Sequence, residues 1–444
     1  MPSSSRSLAA LLVLLVAVPV GAQPSDPEQR RPPAVNRFNE VLPEWLRVRG
    51  EFRERGEGST GSGFTEERDD YYWLSRVRLN VSVTPRPWMA FTAQLQDARV
   101  AQKTIGPTGT PFTAPFDLRM AYASFGRATS PVSVMAGRQE LLFGEQRLVG
   151  PVNWLNAARS FDGVKVTWRQ PAFTADVFGA SLVRMRDGSF DRSGYGNRFA
   201  GVHATTARLV SGGTAEPYVY WRRDVALRTE GGTTGDLGQT TIGLRVTGRL
   251  PARMDYGVEM AVQRGSLGSD TLDAWAGHWQ LRGVAPGFTA ARLVGEYNYA
   301  SGDRDPADRA RGTFDHLYPT PHDKYGLADQ VGWKNVHHLR GGLEFTPWPG
   351  WPMTTNYHTW WLAEPRDALY TAGGAQLARV VTGATHRHVG QEIDVQVSRA
   401  LTPQLQLSGG YAHMFPGGFL NEATPGSHYN YSYVMATYVF LAER

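Results

Sequence analysis

The stretch Trp45-Leu46-Arg47-Val48-Arg49-Gly50-Glu51-Phe52-Arg53-Glu54-Arg55 decides the fold. Leu46, Val48 and Phe52 share one parity, and Arg47, Arg49, Glu51, Arg53 and Arg55 share the other. Successive side chains of a strand point to opposite faces, so the pattern predicts a strand with one apolar and one charged face. A helix of the same residues would scatter the charges around its circumference. The pattern returns at 71–83, where Trp73, Val77, Leu79, Val81 and Val83 oppose Arg76, Arg78, Asn80 and Ser82. It returns again at 254–263, where Met254, Tyr256, Val258, Met260 and Val262 oppose Asp255, Gly257, Glu259, Ala261 and Gln263.

Fifteen further segments fit with varying clarity: 88–97, 117–126, 132–139, 161–169, 172–184, 198–210, 216–224, 239–249, 272–282, 288–299, 336–346, 352–362, 389–399, 404–413 and 431–440. The phase of 132–139 and 161–169 is ambiguous, which leaves open the faces taken by Arg138 and Asp162. Short connections rich in Pro, Gly and aromatics, such as Thr84-Pro85-Arg86-Pro87-Trp88 and Thr346-Pro347-Trp348-Pro349-Gly350-Trp351, alternate with long ones, the longest from about Ala300 to Asn335. Tight turns at one end and long loops at the other are the layout of an outer-membrane barrel. A soluble sandwich also alternates, but its polar face is more dilute, and 18 strands rarely stay in one open sheet. Alternation over about ten residues is the length a tilted strand needs to cross a bilayer. The expectation is an all-β, 18-stranded antiparallel transmembrane barrel, with Trp88, Trp168, Phe288 and Trp351 in an interfacial girdle.

Composition agrees. Forty-nine glycines and 28 prolines in 444 residues suit many short strands and turns. With no cysteine there is no disulfide, thiolate metal site or cysteine nucleophile. Mean hydropathy is −0.36, and after the N-terminus no apolar run approaches a spanning helix. Arg6, the apolar run from Leu8 to Val18, Pro19 and Val20-Gly21-Ala22 read as a secretory signal, cleaved after Ala22. The proline-rich, charged segment 23–44 is expected to be a disordered periplasmic lead-in, with the barrel over 45–444.

The net charge of +5 is too small to point to nucleic acid. Of 46 basic residues, however, only Lys103, Lys165, Lys324 and Lys334 are lysines. Arginine suits bidentate carboxylate binding; a G+C-rich genome would give the same bias. If the apolar faces meet lipid, Arg47, Arg49, Arg53, Arg76, Arg78, Arg119, Lys165, Arg245, Arg292 and Arg340 line the lumen. Glu259, Glu296, Glu344, Glu392 and Asp394 join them from the second half. Such a wall attracts anions, unless its charges pair across the lumen as structural salt bridges.

Several stretches carry a family likeness: Gly137-Arg138-Gln139-Glu140-Leu141, Gly144-Glu145-Gln146-Arg147-Leu148-Val149-Gly150, and Asn156 followed by Arg159-Ser160-Phe161-Asp162-Gly163-Val164. Others are Glu296-Tyr297-Asn298-Tyr299-Ala300-Ser301-Gly302-Asp303, Thr313-Phe314-Asp315-His316-Leu317-Tyr318-Pro319 and His322-Asp323-Lys324-Tyr325-Gly326-Leu327-Ala328-Asp329. From about Trp45 onward the chain resembles the bacterial alginate export family of outer-membrane porins. The resemblance implies an anion-selective channel for an alginate-like polyuronate, in which Arg138, Arg147 and Arg159 count with Arg47, Arg49, Arg76, Arg78, Arg119, Arg245, Arg292 and Arg340 as candidate substrate ligands. A porin for small anions is the alternative within the class. The expected partners are an anionic polysaccharide or small anionic solute, outer-membrane lipid and a periplasmic secretion component. The barrel is expected as a monomer, with no nucleic acid, no cofactor and no metal.

Other signals are set aside. Gly56-Glu57-Gly58-Ser59-Thr60-Gly61 matches a dinucleotide fingerprint but is expected in a loop with no helix after it. Asp303, Asp305 and Asp308 lack the glutamate of a calcium loop, and His386 and His388 are two lone histidines. Asp315, His316, His322 and Asp323 are the candidates for an enzyme at the rim, a rival of a different class.

Overall fold

A computed structural model of the chain describes residues 38–441 except 211 and 286, and the side chains of 288–290 also fall outside it. The expected signal peptide and the lead-in up to residue 37 lie outside the described residues. Eighteen long strands run in sequence order: β1 (Leu46–Thr60), β2 (Asp70–Arg86), β3 (Met89–Ala101), β4 (Ala114–Phe125), β5 (Val132–Gln139), β6 (Phe161–Gln170), β7 (Phe173–Arg184), β8 (Arg198–Thr205) and β9 (Thr214–Arg228). They continue as β10 (Thr234–Leu250), β11 (Met254–Leu267), β12 (Asp270–Ala285), β13 (Phe288–Ala300), β14 (Val336–Trp348), β15 (Trp351–Leu362), β16 (His388–Ala400), β17 (Leu405–Pro416) and β18 (Tyr429–Phe440). Each pairs antiparallel with its neighbours, and β1 pairs with β18 from Gly50↔Phe440 to Thr60↔Asn430. The sheet therefore closes and has no free edge.

Closure explains the alternation. Phe52, Val77, Ile242, Leu293, Ile393 and Val434 stay exposed on the outer face, because lipid is their solvent. Trp45, Trp88, Trp168 and Trp348 are exposed at the short-turn, periplasmic end. Phe288 of the expected girdle belongs to the undescribed side chains. On the opposite parity, Arg53, Arg76, Arg78, Arg119, Glu259, Glu296 and Asp394 are buried inside.

The structure corrects three sequence expectations. Residues 56–60 extend β1, because Gly56 to Ser59 find partners on both β2 and β18 and Thr60 finds one on β18. The strand expected over 198–210 stops at Thr205. The lead-in ends earlier than residue 44, since Phe38–Val41 form a helical turn against the barrel base. Asn39 Nδ2 donates to Val48 O at 2.7 Å and to Leu441 O at 2.6 Å, while Asn39 Oδ1 accepts from Val48 N at 2.9 Å.

Ile242 sits midway along β10 on the lipid face. Ile242→Arg is expected to destabilise the barrel by about 2–4 kcal/mol, against little effect for Ile242→Leu, measured by denaturant titration of protein folded into phospholipid vesicles.

Candidate functional site

Two loops turn into the barrel: 140–160, joining β5 to β6, and 301–335, joining β13 to β14. They join along a backbone seam, with Gly150 N donating to Tyr318 O, Tyr318 N to Leu148 O and Thr320 N to Gln146 O, each at 2.8 Å. The wall behind them is aromatic. Phe143 and Leu148 pack with Phe178, Phe199 and Tyr220, while Tyr325, Leu327 and Trp333 join Trp360 and Met414 in the same buried cluster. Fully burying a large apolar side chain contributes about 1.5–3 kcal/mol, so this half of the lumen holds the loops by packing.

The other half holds them by charge. Arg53 Nη1 donates to Asn153 O at 2.9 Å, and its Nη2 donates to Trp154 O at 3.2 Å and Leu155 O at 3.1 Å. Arg55 Nη1 donates to Trp154 O at 2.7 Å, and Arg76 Nη1 donates to Asn153 O at 3.0 Å and Leu155 O at 3.1 Å. Three guanidiniums thus grip three consecutive carbonyls, and the Arg55 guanidinium also lies 3.9 Å over the Trp154 ring. Arg78 donates to Gln96 at 2.8 Å and to the Asn153 side chain at 2.9 Å. Among the carboxylates, Glu51 pairs with Arg76, Glu57 with Arg55 and Glu140 with Arg119. Five arginines share three carboxylates, and Arg53 and Arg78 have no ion-pair partner among the described residues. The sector from β1 to β4 is therefore net positive.

Elsewhere the charges pair. Arg147 on the first loop reaches Glu296 of β13 at 3.0 Å, and Arg340 of β14 reaches the same carboxylate at 3.2 Å. Removing one partner of so buried a pair costs about 3–5 kcal/mol. Arg245 binds Glu145 at 2.7 Å and also Glu216. Burial opposes ionisation of Glu145, but Arg147 and Arg245 outweigh it and hold its carboxyl at about 2. Asp315 on the second loop is also held at about 2, because Arg222, 2.6 Å away, outweighs burial.

The eleven arginines expected to bind substrate fall into different settings. Arg76, Arg78 and Arg119 converge on loop 140–160, while Arg147, Arg245 and Arg340 are paired inside. Arg159 caps Gly150 O and Pro319 O, each at 2.9 Å; burial, with Arg222 nearby, lowers it to about 10, so it keeps its charge at neutral pH. Arg292 pairs with Asp255, and Arg47 binds Pro43 O at 2.9 Å at the periplasmic end. Arg49 is exposed there. Arg138 is corrected: it shares the parity of Val132 and pairs with Asp162 at 2.8 Å, opposite in face to the buried Phe161. It lies on the outer face at the extracellular end, so the unresolved phase of β5 puts it outside the lumen set.

The sequence alone missed the clamp's acceptor side, Asn153 to Leu155, although the 21 residues between β5 and β6 were visible as a gap too long for a turn. The rim candidates do not assemble. Asp315 engages Arg222 and His322 engages Asp329 at 2.7 Å, while burial and Lys334 push His316 down to about 3. Burial and the facing Glu230 raise Asp303 to about 7, and Asp305 faces Arg366 at 3.5 Å. His386 meets Glu422, and the His388 ring lies tilted against Trp361.

The family model described as alginate export matches residues 44–434. The chain belongs to the alginate export family. No curated protein matches it. Its fold is that of outer-membrane porins of known structure. Pseudomonas aeruginosa OpdQ is 11% identical, with 89% of this chain and 97% of that one covered and a TM-score of 0.61. P. aeruginosa OccK2 (OpdF), solved in complex with glucuronate, is 10% identical over 89% and 96%, with a TM-score of 0.58. Acinetobacter baumannii OccAB2 is 10% identical over 89% and 98%, with a TM-score of 0.58. This member of the alginate export family is an outer-membrane channel.

In this family member, the double change Arg53→Ala with Arg55→Ala frees Trp154 O and leaves Asn153 O and Leu155 O to Arg76 alone. Single-channel conductance in planar bilayers is expected to rise about twofold or more as loop 140–160 loosens, with the β-content of circular dichroism unchanged. The folded-state value of Asp315 lies below the unfolded value of about 3.9. Its contribution is therefore full above about pH 4 and lost as pH falls towards 2. The denaturant midpoint of the wild type is expected to fall more between pH 5 and pH 2.5 than that of Asp315→Asn.

Proposed function

We propose that the channel passes an alginate-like polyuronate or a related anionic solute along the positive sector of its lumen. The observation that carries this reading is that Arg53 and Arg78, beside the loop, have no carboxylate partner among the described residues, while the neighbouring Arg55, Arg76 and Arg119 each pair with one. Lys165 and Arg49 extend the row toward the periplasmic end, again with no ion-pair partner among the described residues. Guanidinium and ammonium groups in a water-filled tube replace part of the hydration of a carboxylate, and weak successive sites let it move on. The flux is passive and follows a gradient or an upstream periplasmic machine; the barrel acts as a monomer, without a cofactor and without catalysis.

A second reading within the class, a porin for small anions, is favoured by the volume taken up by the two infolded loops. It also gains support from OccK2, a barrel of the same fold whose structure contains glucuronate.

Planar-bilayer reversal potentials in a KCl gradient test both. The wild type is expected to prefer anions, and Arg49→Glu with Lys165→Glu, which hold no loop, to cut that preference at least twofold at low salt. Block by long polyuronate supports the polymer, whereas block by glucuronate alone supports the small solute. A cation-preferring wild-type pore overturns the proposal.

A further inference from the structure

The geometry points to a divalent transition-metal site in the barrel wall, formed by His358, Glu392 and Asp394. His358 on β15 stands directly across from Glu392 on β16, and Asp394 follows two residues later on the same inward face. All three are buried, and one donor atom from each lies within 4.8 Å of the others. Among the described residues no other group of three or more histidine and acidic side chains converges in this way. This departs from the expectation of a chain without metal.

The surroundings favour a cation. His358 Nε2 lies 3.0 Å from Asp394 Oδ2, yet it makes no hydrogen bond and is wholly buried. Neither carboxylate has a lysine or arginine partner among the described residues. Glu392 accepts from Ala328 N at 3.3 Å, and Asp394 from Asn356 Nδ2 at 2.8 Å. Two such carboxylates in a dry wall are costly unless a cation or protons neutralise them. Donor atoms sharing one ion at about 2.0–2.2 Å lie up to about 4 Å apart, so a closure of less than about an ångström completes the set.

The second nitrogen of the ligand is supported too. His358 Nδ1 is 2.8 Å from His338 Nε2, the kind of outer partner that orients a ligating imidazole. Metal binding requires the proton between these rings to sit on His358 Nδ1, leaving Nε2 bare. Loop 301–335 roofs the site: Gly326 has φ 121°, and a Cβ there would lie 3.0 Å from both Glu392 oxygens. One imidazole and two carboxylates suit Zn²⁺ or Mn²⁺, whereas Ca²⁺ takes six to eight oxygens.

The test uses the full barrel in detergent, stripped with chelator, incubated with Zn²⁺, freed of excess and assayed by mass spectrometry. About one equivalent is expected in the wild type and under a tenth in His358→Gln and Glu392→Gln. Loss of the metal on His413→Gln instead would place it at the exposed His413–His428 pair and overturn the assignment. So would a wild type that retains under a tenth of an equivalent, or variants that retain as much as the wild type. Should the variants fail to fold, X-ray absorption of the Zn²⁺-loaded wild type decides: one imidazole per zinc is expected, and two or more overturn the site.

Discussion

Backbone hydrogen bonding in a solvent that offers none is the constraint on which this molecule rests. Within the hydrocarbon layer every strand amide and carbonyl must find a partner in the protein. A sheet of 18 strands meets that demand only by pairing its first strand with its last, from Gly50↔Phe440 upward. Once closed, the sheet has two unlike surroundings, and the parity of each residue decides which it meets. The outer parity is therefore apolar, and every charged side chain of the wall except those near the rims must turn inward.

That requirement crowds the interior with guanidiniums, and the molecule resolves the crowding in two ways. Arg147, Arg245 and Arg340 meet carboxylates, which cancels their field. Arg53 meets backbone carbonyls, which satisfy its donors while leaving its net charge in place. A carbonyl partner anchors an arginine mechanically without silencing it electrostatically. The same residues can hold an inner loop and keep the lumen positive, with no separate set for each task.

The strands were legible in the sequence because period-two alternation is local: Arg76 and Arg78 could be placed inside from Val77 and Leu79 alone. Legibility failed where the alternation is weak. In β5 small residues, Ala136 and Gly137, blur the two faces, and Arg138 was counted inside although it stands outside. It failed again for the loops, since the grip of Arg53 on Asn153 spans 100 residues and leaves no periodic mark. Likewise Glu392 and Asp394 were recognisable as inward acids, but their meeting with His358 depends on the register between β15 and β16. The family likeness located Asn156 and Arg159 without saying what they do. Asn156 donates to Ser75 O, Arg99 O and Phe112 O, and so ties the inner loop to the wall.

The helical turn at the barrel base has a further meaning. Strand β18 stops opposite Gly50, while β1 continues back to Leu46, so the seam lacks a pairing partner for Val48. The side-chain amide of Asn39 presents one donor and one acceptor to Val48 at the spacing of a peptide group and also touches Leu441. It acts as a surrogate residue of the final strand, contributed by the chain's opposite end. The bonds to Val48 are local to the N-terminal segment, but the bond to Leu441 can form only once the last hairpin has docked, so the barrel's foot is fully fastened only when the wall becomes complete.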